Sequence, residues 1–308
     1  MYRKINIKLL VTVFVVLLAV VVLVGLADSR KGGRTFKNDL VEVDARNVTS
    51  IEVYPKAMNG ALVKLYKEND EWQVESGGKK YRADQSMPGS MVSQLNGLKP
   101  ESVVATEKDR WEQFEVTDSL GTRVKLFNGT DLLADVVLGK FSFSQPRKMN
   151  TYVRLADDKE IYGVDGMIGM SFNRNLDSFR DKTIIKSTKT DWVKLTYSYP
   201  ADSSFTLEKV NDKWMIGGMA ADSASVAKYI NSIARLTESK FAETKPVSSV
   251  THRLKIEGNN MMAPVEITGF YIDGENFVVE SSQNQGTFFN NPETAKKLFV
   301  PKQQFINK

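Results

Sequence analysis

The chain has 308 residues, with 42 Lys or Arg against 37 Asp or Glu and a formal net charge of +5. Residues 1–37 hold seven of the basic residues and one acid, Asp28, which leaves 35 basic against 36 acidic elsewhere. That removes the basic folded surface on which nucleic-acid binding depends, and the absence of cysteine excludes disulfides, thiolate metal sites and lipoprotein-type acylation.

Leu9 to Ala27 is an unbroken apolar run in which fifteen of nineteen positions are Leu, Val or Phe. As a helix it would be about 28 Å long, the thickness of a bilayer's hydrocarbon core. A signal-peptide core has only about 7–15 apolar residues, so an uncleaved single-pass anchor is the expectation. Three basic residues precede the run and four follow it, so charge counting leaves the orientation nearly balanced. The short tail and long downstream region decide it. Residues 1–8 form a cytoplasmic tail, 9–27 the transmembrane anchor and 28–48 a juxtamembrane linker. The C-terminal part lies in the periplasm, anchored to a bacterial inner membrane whose lipid is the first expected partner. A long exported chain without disulfides fits that envelope compartment.

Past the linker the chain repeats itself. Val63–Trp72 (VKLYKENDEW) and Phe205–Trp214 (FTLEKVNDKW) share Leu, Lys, Asn, Asp and Trp at an offset of 142. Asp84 then faces Asp222, and the stretches from Val92 and Ile230 align at an offset of 138. Each copy begins with period-two strands, Ile51–Tyr54 and Val193–Thr196, followed by a hairpin around an Asn-Asp turn. Asp84 and Asp222 are candidate helix N-caps. After them Met91, Leu95 and Leu98, or Val226, Ile230, Ile233 and Leu236, recur at helical spacing before extended runs at Ser102–Ala105 and Lys240–Ala242.

The second half of each copy reads as strands. Val124–Phe127 leads through Asn128-Gly129 into Leu132–Leu138, a hairpin signal. Tyr152–Leu155 and Ile161–Val164 flank the turn Asp157-Asp158-Lys159, and Leu254–Ile256, Val265–Phe270, Phe277–Glu280 and Thr287–Phe289 play similar parts later. Short helices are predicted around Asp165–Phe172 and Pro292–Leu298. The fold class expected is α+β: an N-terminal transmembrane helix, then two tandem units at 49–190 and 191–308, each a mainly antiparallel sheet with a packed helix.

Several of these stretches carry a resemblance. The strand–turn–Trp with its downstream Asp, DRWEQFEVTDSLGTRVKLFNG (109–129), TYVRLADDKEIYGVDG (151–166) and DSFRDKTI (177–184) resemble the bacterial family known as domain of unknown function 4340, over roughly residues 50–245. Phe114-Glu115-Val116 departs from that family's usual glycine at the middle position. The family is uncharacterised. The resemblance implies export, membrane tethering and encoding beside ABC-type transport components, and supplies no catalytic residues.

Chemical motifs are sparse. His252 is the sole histidine and reads as an ordinary strand-end residue, and no G-x-S-x-G elbow nominates a nucleophile. Asn69-Asp70, Asn211-Asp212 and Asp157-Asp158 read as hairpin tips rather than paired catalytic carboxylates. Trp72 and Trp214, equivalent in the two copies, read as core rather than sugar platforms. No catalytic, metal or cofactor-binding residue is assigned, and no cofactor is expected.

The best surface candidate is the loop Lys140–Met149. There Phe141 and Phe143 stand among Lys140, Arg147 and Lys148, suited to a partner protein or anionic headgroups. The bland alternative is a hairpin crossing with both rings turned inward. The expected function is a non-enzymatic binding or accessory subunit of the envelope with a transporter or envelope protein as partner. One alternative is a hydrolase of envelope glycans or peptides, which needs an acid-lined cleft between the units. Another is a lipid- or saccharide-binding module, which needs an apolar pocket there.

Overall fold

Alternating apolar and polar residues write much of this chain as half-buried strands, and most strands pair with their sequence neighbours. The computed structural model describes residues 37–144, 148–272 and 276–306, together with Phe14, Leu17 and Leu18. In the first half these form β1 (Ser50–Tyr54), β2 (Val63–Glu68), β3 (Glu71–Ser76), β4 (Lys79–Arg82), helix α1 (Met87–Asn96), β5 (Pro100–Ala105), β6 (Thr122–Asn128), β7 (Asp131–Ser144), β8 (Lys148–Leu155), β9 (Ile161–Asp165) and helix α2 (Gly169–Phe172). A linking strand, β10 (Thr183–Lys186), leads into β11 (Trp192–Ser198), β12 (Phe205–Val210), β13 (Lys213–Ile216), β14 (Met219–Ala220), helix α3 (Ser223–Ile233) and β15 (Arg235–Thr237). The chain continues through β16 (His252–Gly258), β17 (Val265–Ile272), β18 (Asn276–Ser281), β19 (Asn284–Phe289) and helix α4 (Pro292–Leu298).

Two antiparallel sheets result, ordered β4-β3-β2-β1-β6-β7-β8-β9-β5 and β14-β13-β12-β11-β16-β17-β18-β19. Position by position, the first eight strands of one order correspond to the eight of the other. In each sheet two meanders meet at a central antiparallel pair, β1 with β6 and β11 with β16. The closing strand differs. β5 pairs with β9, whereas β15 leaves its own sheet to pair with β10, and only Phe241 bridges back to Phe289.

The expected α+β class with an N-terminal transmembrane helix is corrected here: the protein is mostly antiparallel sheet, with 43% of the described residues in strands. Among the described residues no helix is long and apolar enough to cross a membrane. From residue 37 onward the α-helices have 4 to 11 residues, against the roughly 20 a bilayer demands. Within the apolar run, Phe14, Leu17 and Leu18 are helical and more than half exposed, and the rest of Leu9–Ala27 lies outside the described residues. Sheet dominates because the hairpins add strand after strand, while one short helix suffices to cover each apolar face.

That covering is visible in the cores. Ile51, Leu65, Val74, Leu126 and Val153 share one cluster with Met91, Val92 and Leu95 of α1. Leu195, Leu207, Leu254 and Ile267 share another with Val226, Ile230 and Ile233 of α3. Each such fully buried side chain contributes about 1.5–3 kcal/mol. The hairpin tips follow turn chemistry, with Asn69 and Asp70 at φ 51° and 63° and Asn211 and Asp212 at 47° and 62°. Asp222 caps α3 by accepting from Ser225 N at 2.6 Å. Asp84 does not cap α1. It accepts from Ser86 N at 2.9 Å, and Ser86 is the N-cap.

The join between the sheets is polar and charged. Residues 82–84 pair with 179–181 through Asp181 N to Arg82 O and Asp84 N to Phe179 O, extending the line of β4. Arg82 Nη1 donates to Asp181 Oδ2 at 3.1 Å and to Gln283 O of the second sheet at 2.6 Å. Asn284 Nδ2 donates to Asp181 O at 2.9 Å. Arg180, 3% exposed, places its guanidinium 3.7 Å from the Tyr81 ring centre and 3.6 Å from that of Phe241.

Candidate functional site

β7 is long enough to outrun its neighbours. β6 stops pairing with it at Leu138, and β9 pairs with β8 only as far as Asn150. Beyond those points β7 and β8 pair mainly with each other, Phe143 opposite Met149 and Ser144 opposite Lys148, with Gly166 N still donating to Met149 O at 2.6 Å, so a two-stranded arm projects from the sheet. The expected loop is therefore a pair of strands. Its signal was present in the sequence as Phe141 and Phe143 alternating with Ser142 and Ser144 at period two.

A bulge aims the arm. The β7–β8 register shifts between Leu138 and Phe141, placing Gly139 and Lys140 opposite a single partner position. Lys140 N donates to Phe114 O at 3.1 Å. A Cβ on Gly139 would lie 2.3 Å from that same Phe114 oxygen and 2.7 Å from Val116 Cγ1, so only glycine lets the two segments pass. Glu115, where the resembling family carries glycine, takes φ 56°, and its carboxylate pairs with Lys56 at 2.7 Å.

Past the bulge both phenylalanines face solvent, Phe141 47% and Phe143 70% exposed, their rings edge to face at 5.5 Å. The inward-turned alternative is thereby replaced. Beside Phe141 lies a hollow of about 530 Å³ lined by Leu120, Leu138, Met167 and Met170, with the Lys56–Glu115 pair at its margin. Lys140 lines the same hollow, its ammonium 5.8 Å over the Phe114 ring. Arg147 lies outside the described residues, and of Lys148 only the backbone, at the start of β8, is described. The structure thus groups Phe141 and Phe143 and turns Lys140 back toward the sheet.

The other sequence candidates fall into structural roles. Trp72 and Trp214 are half-buried and pack on their respective cores. Asp158 accepts from Tyr162 Oη at 2.8 Å and Lys37 Nζ at 3.1 Å. Among the described residues no group of three or more acids or histidines could hold a metal ion.

The cleft at the join, about 900 Å³, is lined by four basic side chains and only two acids, Asp84 and Asp181. Both acids are engaged, with Ser86 and Arg82 respectively. It is neither the acid-lined cleft a hydrolase would need nor the apolar pocket of a lipid module. Sequence reasoning missed this basic lining because β10 and β15, which supply Lys186 and Arg235, are far apart in the chain.

His252 opens β16 half-buried, ringed by Tyr199, Phe277 and Phe299 at 5.1 to 5.4 Å. Burial lowers its pKa from the ordinary 6.5. The unfolded chain therefore takes up a proton as pH falls through about 6.5 while the folded ring resists it, so this contribution to stability is lost on acidification. Urea midpoints measured at pH 7.5 and 5.5 should drop for the natural chain. They should drop less for His252→Gln, and identical drops would refute the assignment.

A family model described as Domain of unknown function (DUF4340) matches residues 76–255. The match runs across the join, covering the arm, β10 and β15. No curated protein and no solved structure matches the chain.

Proposed function

The chain belongs to the DUF4340 family, and on that premise we propose that it is a non-enzymatic binding protein of the bacterial envelope that docks a protein partner through the β7–β8 arm. The observation carrying this reading is the pair of exposed rings, Phe141 and Phe143, held on hydrogen-bonded strands beside a hollow. Aromatic anchors on a rigid element lose little entropy on binding and supply most of the energy at protein interfaces. A protein suits the arm better than anionic headgroups do, since the two cations lining the hollow are engaged, Lys56 with Glu115 and Lys140 over the Phe114 ring. Periplasmic exposure from the inner membrane belongs to the same proposal and is supported by the apolar run and the absence of cysteine. The resemblance supports a component of an ABC-type transport system as the partner.

Photocrosslinking in cells tests this. With p-benzoylphenylalanine at position 143 of the full chain, a discrete adduct is expected whose partner is a membrane-transport protein. Phe141→Ser should diminish it. Partner affinity of the double Phe141→Ala, Phe143→Ala variant should fall by roughly 30-fold, about 2 kcal/mol. An adduct no stronger than that from position 210, itself an exposed valine, would end the proposal.

A further inference from the structure

The cleft at the join has a feature that folding alone does not explain, and it is independent of the arm. β10 and β15 pair in antiparallel register with Lys186 directly opposite Arg235. Side chains so placed have Cβ atoms about 5 Å apart, where like charges repel and destabilise the pair. Both residues are exposed to the cleft and line it. Neither forms an ion pair with a carboxylate among the described residues. Lys182 and Arg82 add two more cations to the same walls.

The geometry of this strand pair is fixed, not improvised. Gln283 clamps β10 through its side-chain amide, accepting from Lys186 N at 2.7 Å and donating to Lys186 O at 3.1 Å. Ser281 Oγ donates to Ile184 O at 2.5 Å. Arg82 is anchored on Asp181, Glu71 and Gln283 O, and its Nε is buried without a partner. Of the carboxylates present, Asp181 and Glu71 are already spent on Arg82, and Asp84 on Ser86 N and Oγ. Lys186 and Arg235 are therefore left opposed without a counter-charge on a rigid frame.

We propose that this cleft is an anion-binding site in which Lys186 and Arg235 together grip a phosphate-type group, supported by Lys182. An arginine fork and a lysine ammonium are the usual donors for such oxygens. A bound anion would convert the opposed cations from a repelling pair into a bridged one. The cavity, about 900 Å³, admits a solute larger than phosphate itself. The phosphate could be carried by a soluble metabolite or by a lipid headgroup, and the experiment separates them.

Titration of the full chain with inorganic pyrophosphate by calorimetry should give one saturable site whose affinity falls as salt rises. The double variant Lys186→Gln, Arg235→Gln should bind at least tenfold more weakly, while Lys213→Gln, far along the second sheet's edge, should bind as the natural chain does. Parallel sedimentation with phosphatidylglycerol–phosphatidylethanolamine vesicles assigns the source. Binding lost in the double variant and competed by pyrophosphate marks a headgroup, whereas pyrophosphate binding without vesicle binding marks a soluble solute. Without ligand, the double variant should melt at or above the natural temperature, since a repulsion has been removed. Absence of saturable binding to either probe, unchanged affinity in the double variant, or a melting temperature several degrees lower would each overturn the proposal.

Discussion

Replacing Arg180 with alanine is expected to destabilise the chain by about 3 kcal/mol and to separate the unfolding of its two sheets. The guanidinium is 3% exposed and lies between Tyr81 of the first sheet and Phe241 of the second, 3.7 and 3.6 Å from their ring centres. A desolvated cation over an aromatic face is worth up to about 2 kcal/mol, and here one cation serves two faces. Its pair with Asp177 at 2.9 Å is half in water and adds little. Lysine should recover less than half of the loss, because an ammonium cannot stack flat between two rings. Trp72 and Trp111 report on the first half, and Trp192 and Trp214 on the second. A urea titration followed by tryptophan fluorescence should therefore change from one transition to two. A single transition at the natural midpoint would show that the sheets are held together elsewhere.

Arg154→Ala is expected to cost about 3–4 kcal/mol through a different route. Its guanidinium, 2% exposed, donates to Val116 O at 2.9 Å and to Leu155 O and Ala156 O at 3.1 Å each. It also stacks 3.9 Å from the Trp111 ring centre, and Trp111 Nε1 donates to Lys159 O at 3.0 Å. One side chain thus fastens the segment before β6 to β8 and to the turn that follows it. Alanine would leave these carbonyls without their donor, and a buried unsatisfied carbonyl costs about 1–3 kcal/mol. Denaturant unfolding should register the loss, and limited proteolysis should begin within residues 109–121. A change below about 1 kcal/mol, with the segment still protected, would contradict this account.

These two arginines show where sequence reading stops. Both lie in stretches quoted for the family resemblance, yet each also joins partners 36 or more residues away: Asp118 and Val116 for Arg154, Tyr81 and Phe241 for Arg180. Local signals were sound where the physics was local. The Asn-Asp turns adopt positive φ, Asp222 caps its helix, and Pro292–Leu298 is helical as its pattern predicts. Asp84 does not cap because its carboxylate is taken by Ser86 N and Oγ in a turn that delays the helix to Met87. Within Lys140–Met149 the alternating phenylalanines carry the period of a strand, but the bulge at Gly139 that aims the arm has no local signature.

The sequence by itself determined the run of strands, the duplicated blocks and, through its quoted stretches, the resemblance to a family. Tertiary structure alone decided that the phenylalanines face solvent, that sheet outweighs helix, and that Lys186 meets Arg235 across a strand pair. The division has one cause. Periodicity and turn chemistry are fixed by residues a few positions apart, whereas strand partners and the faces of a join depend on free-energy differences between contacts distant in the chain.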